Sequence, residues 1–308
     1  MSTRLYHHPV FLEHVATPGH PERPDRLRVI DRVLEDERFA YLDRRMAPKG
    51  EAKSILAVHP DHHLENILSS IPMEGIERID ADTAVGPKSY EAAIHAVGAA
   101  TSAVADVFEG NAANVFVVAR PPGHHAERER AMGFCLFNTA AIAARHAQSV
   151  FGAERVAIID WDVHHGNGTQ DIFWSDPSVL YCSTHQMPLY PGTGEKNETG
   201  AGNIVNAPLS AGDGSAQFKD AFETRILPAV DAFQPDLIVI SAGFDAHFRD
   251  PLAEINLVEG DFDWATGRLM DLAGKHAGNR LVSILEGGYD LQGLAWSVAA
   301  HVARLMRG

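Results

Sequence analysis

Four short segments gather the residues of this chain that could do chemistry: Arg-Pro-Pro-Gly-His-His at 120–125, Asp-Trp-Asp-Val-His-His at 160–165, Gly-Phe-Asp at 243–245 and Glu-Gly-Gly-Tyr at 286–289. Asp162 and His164 stand two apart, so on extended backbone their side chains share one side. Asp245 offers a third donor. Two carboxylates and one imidazole leave a fourth position for water, the arrangement of a catalytic rather than a structural zinc site. An isolated Asp-x-His is more often a hydrogen-bonded structural pair; the three companion segments tip the balance toward a metal. His124 and His125 would point apart on a regular strand, but a turn begun by Gly123 can aim both into a cleft. A neutral imidazole can take a proton from metal-bound water, and an imidazolium can return it to a leaving amine. Taken alone, they read better as two turn histidines satisfied by backbone groups. Tyr289, after two glycines, could donate its hydroxyl to an oxyanion, or be a buried aromatic with a satisfied hydroxyl.

These segments need elements to bring them together. Apolar runs at 115–119, 156–160, 179–183, 237–241 and 281–285 are rich in Val, Ile and Leu without alternation. They read as strands buried on both faces, hence a parallel sheet. Each chemical segment directly follows one of these runs, and open parallel sheets bind ligands outside the carboxyl ends of their strands. Helical patterns fill the intervals, at 89–109, 138–150, 216–233, 262–277 and 291–306. The alternation predicts one α/β domain over 1–308 with helices on both sheet faces; no repeat or linker divides it. Residues 186–214, long and Gly-rich, read as an active-site loop.

Composition narrows the function. The 308 residues are 45% hydrophobic and carry a formal charge of −15, from 26 basic and 41 acidic side chains. That balance argues against nucleic-acid binding and suits a cationic substrate or simple solubility. Cys135 and Cys182 cannot build a disulfide framework and read as buried thiols of a reducing compartment. The N-terminal stretch lacks an apolar signal core, and no run approaches the ~18 apolar residues of a membrane span. The expectation is a cytoplasmic protein with no membrane partner.

The segments RPPGHHA, GFCLFNTAAIAA, DWDVHHGNGTQ, YPGTG, SAGFDAH and LEGGYD, in this order, resemble the zinc-dependent histone deacetylase family from about Tyr6 to the C-terminus. The third is closer to class II enzymes and to bacterial deacetylase-like amidohydrolases, relatives of the acetylpolyamine amidohydrolases. Class I carries Asp where this chain has Asn167. The resemblance implies the arginase–deacetylase fold, a central eight-stranded parallel sheet flanked by helices. It implies one zinc ion per chain on Asp162, His164 and Asp245, tandem catalytic histidines at His124 and His125, and a transition-state tyrosine at Tyr289. It further implies that Asp160 orients the first histidine and contributes to a structural potassium site with Asp162, His164, Ser183 and Thr184, partly through backbone carbonyls. Asn167 would pair with His125 and leave it less basic than a carboxylate would. Phe134 and Tyr190, with Gly133, match the acyl-lysine tunnel, Asp82 a rim position, and Arg26 the acetate-exit region. Leu252 falls where a polyamine enzyme often places an acidic gatekeeper; Glu254 or Asp82 could supply that charge instead.

The implied reaction is metal-dependent hydrolysis of an N-acetyl amide to free amine and acetate. The substrate would be acetyl-lysine in a protein or peptide, or a small acetylated amine; an acetylpolyamine amidohydrolase is the alternative. Oxygen-rich ligation admits several divalent metals. An arginase-like binuclear hydrolase would need carboxylates where Gly166 and His247 stand. A non-catalytic acetyl-amine binding module would have lost catalytic residues that are all present. Residues 186–214 and 61–89 could pack against a second copy of the chain.

Overall fold

The Val, Ile and Leu runs form the middle of the sheet because, without alternation, they can only be satisfied by cover on both faces. Of the span 1–308, the computed structural model describes residues 2–15 and 17–307. Its strands are β1 (Thr3–His7), β2 (Asp43–Met46), β3 (Glu77–Arg78), β4 (Ala84–Val85), β5 (Asn114–Val117), β6 (Val156–Asp160), β7 (Val179–Gln186), β8 (Ile204–Leu209), β9 (Leu237–Ala242) and β10 (Leu281–Leu285). Eight of them make one sheet in the order β2-β1-β5-β10-β9-β6-β7-β8, and β3 and β4 form a separate hairpin. Every pairing in the large sheet is parallel. Five of the six inner strands, β5, β10, β9, β6 and β7, are buried along their whole length.

The helices are α1 (Asp25–Val33), α2 (Ala52–Leu56), α3 (Asp61–Ser70), α4 (Ser89–Phe108), α5 (Thr139–Phe151), α6 (Asn167–Phe173), α7 (Ser215–Ala221), α8 (Leu227–Phe233), α9 (Glu259–His276) and α10 (Leu291–Arg307). The Ala-rich face of α4 lets it pack closely on α5 and β5. α5 starts at Asn138, whose side chain accepts the Ala141 N–H, and ends at Gly152 in the left-handed conformation, an N-cap and C-cap pair. The result is one α/β domain with the expected eight-stranded parallel sheet. Among the described residues, no helix is long and apolar enough to cross a membrane. Both cysteines are buried and unpaired.

Two expectations need correction. Residues 186–214 are not one loop: β7 runs to Gln186, and Ile204–Leu209 forms the edge strand β8. Asn206 and Pro208 break the apolar pattern there; proline is tolerated because an edge strand need not donate on its outer side. Residues 216–233 are not one α-helix. A π-helical stretch, Phe222–Ile226, joins α7 to α8, and Pro228 lies in the first turn of α8. Proline has no N–H to give a preceding carbonyl, so the helical ladder is re-spaced ahead of it.

Candidate active site

The carboxyl ends of β6, β9 and β10 meet in one place because these strands are register neighbours: Asp160 lies opposite Ser241, and Ile284 opposite Ser241 on its other side. Just beyond those ends, Asp162, His164 and Asp245 each present one ligand atom, all within 4.8 Å of one another. His164 Nδ1 is 3.2 Å from both Asp162 Oδ1 and Asp245 Oδ2. The remaining oxygens are held by backbone: Asp162 Oδ2 accepts from Gly287 N–H at 2.8 Å, and Asp245 Oδ1 from Val163 N–H at 2.8 Å. Both carboxylates are fully buried. Among the described residues no lysine or arginine pairs with either of them; their charged partners are histidines. Burial, reinforced by the Asp162 charge, pushes Asp245 up to about 7. Two buried carboxylates and an imidazole nitrogen converging without a cationic side chain fit a divalent cation by donor chemistry and by charge. Gly287 makes the approach feasible, since a Cβ there would lie 2.1 Å from Asp245 Oδ2 and 2.6 Å from Asp162 Oδ2. His247 turns to Glu259, 3.4 Å away, so among the described residues the group stops at three ligands.

The tandem histidines have opposite electrostatic fates. His124 Nδ1 lies 3.0 Å from Asp160 Oδ2, and its Nε2 lies 3.8 Å from Asp162. Burial opposes its charge, but Asp162 and Asp160 outweigh that and hold it well above the usual imidazole range. His125 Nδ1 instead meets the neutral Asn167 Oδ1 at 2.8 Å. Burial, with His124 and His164 nearby, holds His125 well below the usual range. The two rings sit 4.0 Å apart. The pair thus sets an imidazole held by a carboxylate beside one held by a neutral amide, an arrangement that favours charge on the first over the second.

Glu286 fixes the turn that carries them. One of its oxygens accepts from Gly123 N–H at 2.7 Å and His124 N–H at 3.1 Å; the other accepts from Ser241 Oγ at 3.2 Å. Glu286 opens the fourth chemical segment, but its residue type and spacing assign it no role. Its position, a lone carboxylate closing a buried strand, was the available signal. Glu22 and Arg120 were missed altogether as partners. Arg120 donates to both Glu22 oxygens and to Phe11 O, and Arg26 donates to Glu22 Oε1 at 3.1 Å. All three side chains are buried. Arg26 also donates to the carbonyls of Gly288, at 2.7 Å, and Glu286, which holds the backbone leading to Tyr289.

Tyr289 is placed by its N–H, which donates to Asp250 Oδ2 at 2.7 Å, and by the Arg26 guanidinium 5.1 Å from its ring. Burial keeps the phenol well above its ordinary range, so it stays a hydroxyl donor. Phe134 crosses Tyr289 edge-on with centroids 6.0 Å apart. Tyr190 stands 5.2 Å from the His125 ring and 6.3 Å from His164. The two aromatics expected to wall a tunnel therefore both border the candidate site. Gly133 packs on His125, where a Cβ would come within 2.4 Å of the ring. Gly133 also donates its N–H to Asp82 Oδ1 at 3.1 Å, while Thr83 Oγ1 accepts from Phe134 N–H. Asp82 thus clamps the aromatic loop at the rim. Leu252 is half-buried and donates its N–H to Asp250, the residue that holds Tyr289; Glu254 is exposed. Ser183 and Thr184 are buried in β7, Ser183 opposite Asp160, with its hydroxyl 2.9 Å from His185 Nδ1.

Comparison with known proteins agrees with this geometry. A family model described as histone deacetylase domain matches residues 20–305. The histone deacetylase-like amidohydrolase of Pseudomonas aeruginosa is 41% identical over 280 residues, 89% of this chain and 73% of the relative. A probable deacetylase of Archaeoglobus fulgidus is 38% identical, over 95% of this chain and 83% of its own. The crystal structure of an HDA15 HD domain superposes with a TM-score of 0.94 at 38% identity, covering 99% of this chain and 88% of that one. With 286 residues matched by the family model and relatives aligned over most of their length, this chain belongs to the histone deacetylase family.

Proposed function

We propose that this deacetylase hydrolyses the N-acetyl amide of acetyl-lysine, or of a small acetylated amine, and depends on one zinc ion held by Asp162, His164 and Asp245. The convergence of those three buried donors beside two histidines of opposite charge preference carries the reading. Zinc in that place would polarise the acetamide carbonyl and acidify a water molecule. His125, neutral and tied at Nδ1, takes the proton from the attacking water at Nε2 and then gives it to the departing amine. His124, hydrogen-bonded through Nδ1 to Asp160, stabilises negative charge developing on the substrate. The Tyr289 hydroxyl donates to the tetrahedral oxyanion. Phe134 and Tyr190 flank the aliphatic chain of the substrate and exclude water, with Leu252 and Asp82 at the rim. Asp160, Ser183 and Thr184, with carbonyls of Asp162 and His164, form the candidate site of a structural potassium ion. The two buried thiols suit a reducing compartment, and we place the enzyme in the cytoplasm.

The test measures metal content, then acetate release from an acetyl-lysine peptide and from N-acetylputrescine side by side. Tyr289→Phe and His125→Ala run as controls. Release from the peptide that is lost on chelation and in both variants supports the reading. Release from acetylputrescine alone moves the substrate to polyamines and keeps the mechanism. Release that survives chelation and both substitutions overturns the mechanism.

A further inference from the structure

Asn167, the first residue of α6, touches three groups. Its Oδ1 lies 2.8 Å from His125 Nδ1, and its Nδ2 lies 2.7 Å from Glu127 Oε1 and 3.3 Å from Met132 Sδ. A carboxylate and a thioether accept hydrogen bonds and do not donate them. Both amide hydrogens are therefore committed, and only the carbonyl end of Asn167 can face His125. A carbonyl accepts in turn, so the ring hydrogen must sit on Nδ1 and the lone pair on Nε2. We propose that Glu127 is a positioning residue: acting through Asn167, it fixes His125 in the tautomer whose Nε2 can take a proton.

Asparagine by itself does not fix this. Rotating its amide by half a turn would offer N–H to His125 Nδ1 and select the opposite tautomer, in which Nε2 already holds the hydrogen and cannot act as base. Met132 is a weak acceptor and opposes that rotation little. Glu127 opposes it strongly, because the flipped amide would turn its carbonyl oxygen toward the carboxylate. The backbone around Glu127 is anchored without its side chain: Glu127 N–H donates to Arg130 O at 2.9 Å, and Arg128 N–H to Asp171 Oδ2 in α6 at 2.9 Å. The side chain is only half-buried. Its replacement should therefore leave the turn in place.

The kinetic consequence rests on His125 being the base of the proposed reaction; the tautomer does not, and is measured without substrate. The experiment uses the full chain with 15N-labelled histidine, reads the His125 tautomer by NMR, and follows kcat and KM for an acetyl-lysine peptide. Glu127→Leu should give a mixture of His125 tautomers and lower kcat roughly 5- to 10-fold, the scale of one hydrogen bond, with KM within about twofold. Glu127→Gln, which can still accept from Asn167, should recover most of the loss. In an Asn167→Asp background position 167 is acceptor-only on both oxygens, so adding Glu127→Leu should cost less than about twofold in kcat. A pure Nδ1–H tautomer in Glu127→Leu overturns the proposal. So does an equal loss of kcat in both backgrounds, which would make Glu127 merely structural. If no acetylated substrate is turned over, the functional reading fails, and the NMR result still decides this one.

Discussion

Replacing Arg120 by Met isolates the value of a buried charge pair next to the candidate site. Arg120 is fully buried and donates to both oxygens of Glu22, one of them at 2.6 Å, and to Phe11 O at 2.8 Å. Burial alone would raise the Glu22 carboxyl, but Arg120 foremost, with His14 and Arg26, outweighs it and holds it at about 2 against an ordinary 4.5. A carboxyl moved that far carries about 3 kcal/mol of preference for its charged form in the folded state. Independently, removing one partner of a buried ion pair costs about 3–5 kcal/mol. Arg26 still pairs with Glu22 at 3.1 Å, which points to the lower end. The two routes agree on a loss of about 3 kcal/mol at neutral pH.

The pH dependence follows from the sign. Glu22 is depressed in the folded state, so its contribution is complete above pH ~4.5 and is lost as pH falls toward ~2. Without Arg120 the carboxyl rises, and the folded variant can take up a proton that the native protein does not. The deficit of Arg120→Met is therefore greatest at neutral pH and shrinks through the carboxylate range. Denaturant unfolding at pH 7 and pH 5, followed by circular dichroism, measures both quantities. Adding Glu22→Gln to the variant leaves the buried Arg26 without its carboxylate partner, so the double variant should be no more stable than the single. A loss under about 1 kcal/mol at pH 7, or a double variant clearly more stable than the single, would refute the assignment of these side chains as mutually dependent buried charges.

Tyr289→Phe keeps the ring against Phe134 and Arg26 while removing the donor; kcat should fall about 10²- to 10³-fold with little change in KM, checked by steady-state acetate release. Gly287→Ala brings a Cβ to 2.1 Å from Asp245 Oδ2 and should weaken zinc binding by about 10- to 100-fold, read by competition with a chromophoric chelator.

How much of this was legible in the sequence depended on whether the signal was local. The inner strands were, because Val156–Asp160, Leu237–Ala242 and Leu281–Leu285 are dominated by Val, Ile and Leu without alternation and nothing else in an α/β chain accounts for such runs. Asp162 and His164 were, because their spacing and their place beyond a strand end are both properties of a few adjacent residues. The edges were not. β2 is Asp-Arg-Arg-Met and largely exposed, and β8 alternates around Asn206 and Pro208, so each is a strand only because a neighbour supplies its hydrogen bonds.

The parts of the site that escaped notice share a different cause: they are relations between polar groups far apart in the chain. Glu22 lies in a run of charged residues that reads as solvated surface, yet its partner Arg120 is 98 positions away and both are buried. Glu286 acts on backbone N–H groups 162 and 163 positions earlier, which no motif records because any residue supplies an N–H. Glu127 works through Asn167, 40 positions on. In each case the residue type is forced by what surrounds it in space: a buried carboxylate must be paired, and an amide must be told which way to face. A sequence motif names the atoms that react. The groups that set their charge and tautomer are chosen by packing, and for His125 that choice falls on a glutamate two residues along the chain whose influence arrives from the opposite side, through the first residue of α6.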